Sequence, residues 1–98
     1  MTGTPVGELL ETRPRLAAKA KLRLDAKSGK HILLYPEKGL LLNPTGTAIL
    51  QLCDGERTLS AVVLELALQF QTEPERLRPE VLAFVQALLE RGLLQVAP

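Results

Sequence analysis

From Lys19 the chain alternates without a break. Lys19, Lys21, Arg23 and Asp25 fall on one side and Ala20, Leu22 and Leu24 on the other, the two-residue period of a half-buried strand. Lys27, Ser28 and Gly29 supply a turn, so the apolar run from His31 to Tyr35 returns antiparallel as the second strand of a hairpin. Pro36, Glu37, Lys38 and Gly39 make the next turn, the proline fixing φ and the glycine admitting a positive one. Leu40, Leu41 and Leu42 then form a short third strand.

Beyond Leu42 the period changes. Asn43 followed by Pro44 fits an N-cap and a first helical position that needs no donor, which predicts a helix to Leu52 with Ala48, Ile49 and Leu52 inward; Gly46 weakens it by roughly 1 kcal/mol relative to alanine. Asp54 and Gly55 break the chain, and Thr58 caps a second helix with Leu59, Val62, Val63, Leu66 and Phe70 on one face and Leu64 and Leu68 on the other. Thr72 and Glu75 have capping-box spacing, but Pro79 removes a bond from any helix carried through it. The expectation is therefore one turn, then a third helix from Pro79 to Arg91, with Gly92 as its left-handed cap and Leu93 and Leu94 closing the chain.

Residues 1–15 carry Gly3, Pro5, Gly7 and Pro14 with no sustained period, which predicts a flexible N-terminal arm ahead of a domain over 16–98. Three antiparallel strands followed by three helices make an α+β, winged-helix-like domain. Because the strands precede the helices, the order is the reverse of most DNA-reading winged helices.

Composition narrows the functions. Ninety-eight residues, 22 of them leucine, suffice for one core and leave no room for an internal cofactor fold. One cysteine excludes an intrachain disulfide, and no signal-peptide pattern opens the chain, so a reduced, cytoplasmic setting is expected. The longest apolar run is Val81 to Val85, far short of the roughly 20 residues of a membrane span. A net charge of +1 lacks the basic excess that duplex binding exploits. The charge is nonetheless uneven: eight basic and four acidic residues lie in 1–38, four and seven in the remainder. That asymmetry fits an acidic partner, or equally a solvated strand face that resists edge aggregation.

No catalytic set emerges. His31 has no second histidine or cysteine near it in sequence for metal binding. Cys53 sits beside Asp54 at a helix C-terminus, both of which raise a thiol pKa, and reads as a buried apolar residue. Glu73, Glu75 and Glu80 favour the positive end of the third helix's dipole.

Taken in order, Leu33-Leu34-Tyr35-Pro36-Glu37, Leu42-Asn43, Ile49-Leu50-Gln51-Leu52-Cys53-Asp54-Gly55 and Arg57-Thr58, with Phe84 and Gly92-Leu93 further on, resemble the PqqD family, pyrroloquinoline quinone biosynthesis protein D. The resemblance spans about Arg13 to Leu94; Pro74 and Pro79 depart from the smoother helix entry expected of it. It implies a non-catalytic peptide chaperone, a precursor-peptide recognition element without cofactor. Such a domain binds the precursor peptide PqqA and presents it to the radical S-adenosylmethionine enzyme PqqE, whose iron–sulfur chemistry cross-links a glutamate and a tyrosine. In related recognition elements the peptide adds as a strand beside the third strand and packs on the third helix. This maps onto Leu40, Leu41, Leu42 and Asn43, and onto Val81, Phe84, Val85 and Leu88.

An edge strand leaves backbone donors and acceptors unpaired, and strand addition satisfies them whatever the peptide's side chains. The third helix has an apolar arc wide enough for core and groove, with Phe84 on one flank and Leu82 and Leu89 on the other; the pattern alone favours both flanks being covered by the sheet and the second helix, and the resemblance favours the groove. A monomer with weak dimerisation is expected from the open edge and the outward Leu64 and Leu68, a pair that also offers an enzyme-docking surface or ordinary burial under the arm. The competing reading, a winged-helix DNA-binding regulator, meets a segment from Pro74 to Leu94 whose Arg76, Arg78 and Arg91 are matched by Glu75, Glu80 and Glu90.

Overall fold

A computed structural model of the chain describes residues 6–36 and 38–97. Its elements run α1 (Val6–Glu11), β1 (Pro14–Leu16), β2 (Lys21–Leu24), β3 (His31–Tyr35), β4 (Lys38–Leu41), α2 (Pro44–Leu52), α3 (Leu59–Gln69), α4 (Pro74–Glu90) and β5 (Leu94–Val96). The expected α+β architecture is present: β2, β3 and β4 form an antiparallel three-stranded sheet in that order, followed by three helices. Leu22, Leu33 and Leu40 lie opposite one another across the three strands and so share the face turned to the core, where Leu33 is wholly buried. The alternation from Lys19 therefore reports a true inside and outside, except that Leu24, 62% exposed, runs past the core's edge.

Helix starts follow their caps. Asn43 Oδ1 accepts the Gly46 N–H at 2.7 Å, and Thr58 Oγ1 accepts the Ala61 N–H at 3.1 Å. In α2, Ala48, Ile49 and Leu52 are buried as expected; in α3, Leu59, Val62, Val63 and Leu66 are, whereas Phe70 is 41% exposed because it is the C-cap and the helix has ended. Leu64 and Leu68 face solvent, and the described part of the N-terminal segment, from Val6 on, does not bury them.

The approach to α4 differs from expectation. Thr72 closes α3: its N–H donates to Ala67 C=O at 3.0 Å, with Gln71 at φ 52°, the arrangement in which a left-handed residue ends a helix. Glu73 is the N-cap of α4, without a side-chain capping bond, and Pro74 takes the first turn. The helix then runs unbroken through Pro79. Glu75, whose carbonyl loses its i+4 donor, and Pro79 are both exposed, so that carbonyl faces solvent, while Leu77 on the same turns packs against the core. Burial of Leu77 and Val81 outweighs the interior proline. At the far end the Gly92 N–H donates to Leu89 C=O and the Leu93 N–H to Leu88 C=O, with Gly92 at φ 74°, the predicted left-handed cap.

The expectation of an arm over 1–15 is corrected from Val6 onward; residues 1–5 lie outside the described residues. Leu9 of α1 is 2% exposed within the core, and Pro14 of β1 is fully buried. β1 pairs antiparallel with β5, and on its other side the Gly55 N–H donates to Pro14 C=O at 3.0 Å. Thr12 C=O accepts the first α3 amide, Leu59 N–H, at 2.8 Å. A six-residue helix held by Leu9 and Leu10 and a three-residue strand are too short to print a period, yet they close the domain.

Candidate peptide-binding edge

The parity of β4 follows from its pairing. Ile32 lies opposite Leu41, so His31 lies opposite Leu42, and the Leu42 N–H donates to His31 C=O at 2.9 Å. Antiparallel pairs alternate between those that exchange backbone bonds and those that do not. Leu42 and Leu40 therefore direct their N–H and C=O groups to β3, and Leu41 and Gly39 direct theirs outward. Among the described residues no strand pairs with that outer edge.

α4 runs alongside it. Near one end of β4, Phe84 lies over α2: a Cβ on Gly46 would meet the Phe84 ring at 3.3 Å, so glycine is what lets the ring approach the helix that continues from β4. Near the other end, Lys38 and Arg91 line one cleft with Lys19, Tyr35, Pro36 and Leu93. The two elements thus lie antiparallel with a groove between them, an edge strand on one side and a helix on the other.

The sequence-predicted residues divide. Leu40 is half-buried, Leu41 is 54% exposed on the outer face of the sheet, and Phe84 is half-buried; these three sit where a strand added to β4 would meet them. Leu42, Val81, Val85 and Leu88 are core residues, the last three at most 2% exposed. Their side chains do not line the groove, because the apolar stripe of α4 is the one that enters the core and packs against α3; the partly buried flank carrying Phe84 is what remains. Asn43 is exposed, but its carboxamide oxygen is engaged as the α2 cap. The register also turns the backbone of Gly39 outward; sequence reasoning missed the Lys19, Tyr35, Lys38 and Arg91 group, which come from three segments with no common spacing.

Among the described residues no group of three or more His, Cys, Asp or Glu side chains is placed to hold a metal, and no helix is long and apolar enough to cross a membrane. Cys53 is buried; desolvation, with the neighbouring Asp54 charge, pushes its thiol up to about 12. Asp54 is held below the usual carboxylate range by the Arg57 and Glu56 N–H groups and the Arg57 guanidinium at 2.8 Å, a turn-fixing role.

A small α+β domain with a free sheet edge beside an apolar helix flank has a form to which an extended peptide can add as a strand. Residues 30–94 match the family model described as coenzyme PQQ synthesis protein D. A protein of Rhodopseudomonas palustris strain HaA2 named PqqA binding protein is 36% identical over 89% of this chain and 85% of its own length. The Rhizobium meliloti strain 1021 protein of the same name is 33% identical over 84% of each. The bifunctional coenzyme PQQ synthesis protein C/D of Methylorubrum extorquens is 30% identical, and the chain spans 22% of it. The solution NMR structure of the PqqD truncation of Methylobacterium extorquens PqqCD, described as a functional and stand-alone RiPP recognition element, superposes with a TM-score of 0.72 at 30% identity, covering 84% of this chain and 87% of that one. The chain belongs to the PqqD family.

Proposed function

We propose that this domain is the peptide-binding partner of pyrroloquinoline quinone biosynthesis, holding PqqA as an added strand on the outer edge of β4 and acting as a chaperone, not a catalyst. The observation that carries the reading is the outward backbone of Gly39 and Leu41 beside α4, in a chain whose relatives are named for binding PqqA. Backbone pairing supplies sequence-tolerant affinity, and Leu40, Leu41 and Phe84 offer the apolar contact. In this reading the domain works in the cytoplasm as a monomer and presents the peptide to the radical S-adenosylmethionine enzyme PqqE. The α3 surface bearing Leu64 and Leu68 is available for that enzyme, and Leu64→Glu should then weaken PqqE binding without changing PqqA affinity.

The test is titration of the isotope-labelled domain with synthetic PqqA, followed by amide NMR. Shifts and new exchange protection should concentrate at Gly39, Leu41 and the Phe84 turn of α4. Changes confined to Leu22 and Leu24, whose backbone faces the opposite edge of the sheet, would move the site to β2; an unchanged spectrum would remove the function.

A further inference from the structure

Three cations from separate segments meet at one end of the β4–α4 groove. Lys19 precedes β2, Lys38 opens β4 and Arg91 caps α4; with Tyr35, Pro36 and Leu93 they line a cleft of about 340 Å³. Two of the three are placed by contacts. The Arg91 guanidinium donates to the Tyr35 hydroxyl oxygen at 3.0 Å and lies 5.8 Å from its ring centre. Lys19 lies against Gly92, its Nζ 3.2 Å from where a Cβ would stand. Gathering like charges is unfavourable unless an anion joins them, yet among the described residues Arg57–Asp54 is the one ion pair. Because the Tyr35 oxygen accepts from Arg91, its own O–H is directed elsewhere. The cleft therefore presents three cations and a hydroxyl donor.

Its place on the strand register says what fits. Lys38 and Leu40 are two residues apart, so their side chains share the core-side face of β4. A strand added to β4 places its own side chains opposite these on that same face. We propose that the cleft takes a carboxylate side chain of the bound peptide, carried two positions along the strand from an apolar residue that packs beside Leu40. This rests on the strand-addition reading above and adds to it a sequence requirement, an acidic and an apolar residue in i, i+2 relation.

The experiment is a double-mutant cycle. PqqA peptides, each with one Asp or Glu changed to its amide, are titrated calorimetrically into the wild-type domain and into Lys38→Gln and Arg91→Gln. Lys38 is exposed, so at least that variant keeps its fold, which circular dichroism checks. One amide peptide should lose about fivefold or more in affinity, the scale of a well-placed partly exposed ion pair. That loss should vanish in the cleft variants, and the acid concerned should stand two residues from an apolar one. Amide peptides that all bind within twofold of the parent, or a loss that persists undiminished in both variants, would overturn the proposal while leaving strand addition intact. A parent peptide that does not bind at all would defeat both.

Discussion

Proline scanning of β4 separates the backbone that builds the domain from the backbone offered to a ligand. At Leu42, proline removes the donor of the 2.9 Å bond to His31 C=O, worth about 1 kcal/mol, and truncates a leucine that is 4% exposed; large-to-small changes at such sites cost about 2–5 kcal/mol. A loss of roughly 3–6 kcal/mol falls on a domain whose whole stability should be about 5–15 kcal/mol, so Leu42→Pro should be partly or wholly unfolded. At Leu41 the N–H faces outward, the side chain is 54% exposed, and the residue before it is already extended, as a pre-proline residue prefers. The domain should lose no more than about 1 kcal/mol, as edge positions with outward amides tolerate proline.

Peptide binding should respond in the opposite order. Without the Leu41 donor a carbonyl of the added strand is left unpaired at the groove, a penalty of about 1–3 kcal/mol, or roughly 5- to 150-fold in affinity. Leu41→Ala and Leu42→Ala correct for the side chains. Because the chain has no tryptophan, unfolding is best followed by circular dichroism in urea, and binding by calorimetry with PqqA. If Leu41→Pro bound as tightly as Leu41→Ala while folded, strand addition at this edge would be wrong. If Leu41→Pro unfolded and Leu42→Pro did not, the register itself would be reversed.

Asn43→Ala should lower stability by about 1 kcal/mol through loss of the α2 cap and leave PqqA affinity unchanged; a clear fall in affinity at constant stability would make Asn43 a peptide contact. Pro79→Ala should raise the urea midpoint, with a gain of up to about 3 kcal/mol, and a lowered midpoint would show the proline to be favourable where it stands. The Cys53 thiol rises from its ordinary 9.0 to about 12 on folding, so above pH 9 the unfolded chain releases the proton first and the native state loses about 1.4 kcal/mol per pH unit. Relative to Cys53→Ala, wild-type stability should thus fall between pH 9 and 10.5, and a constant gap would contradict the burial argument.

The hairpin and the starts of α2 and α3 were legible because each is written in local chemistry: a two-residue period from Lys19, and Asn43 and Thr58 immediately ahead of apolar runs. The α3–α4 junction was not, because Thr72 carries two signals. Its spacing to Glu75 suits an N-cap, yet Gln71 accepts a left-handed conformation and gives Thr72 to the end of α3 instead. Pro79 misled for a related reason: a local rule against proline yielded to packing of Leu77 and Val81 on either side of it. The groove was half legible. Leu40, Leu41 and Phe84 came from the family resemblance and lie beside the open edge, but an apolar arc on α4 does not say which residues the core takes, and Val81, Val85 and Leu88 went there. The cationic cleft could not be read at all, since residues 19, 35, 38 and 91 become neighbours only through the fold.

The two walls of the groove are held very differently, and this bears on how binding works. α4 is anchored by Val81, Val85 and Leu88 in the core. Its C-terminal cap leads directly into β5, which pairs with β1, itself tied to the Asp54–Gly55 turn. The short N-terminal elements thus fix the Arg91 end of the groove from the far side of the chain. Among the described residues β4 has only β3 as a paired neighbour, and it contains Gly39, which contributes no side chain to packing. One wall is therefore set by tertiary structure and the other by a single ladder of hydrogen bonds and the half-buried Leu40, the kind of element that opens locally at low free-energy cost. A peptide that pairs with the outer edge makes β4 a central strand and orders it against a helix already in place. Some of the interaction energy must then go into that ordering, which favours a reversible hold suited to handing a peptide on.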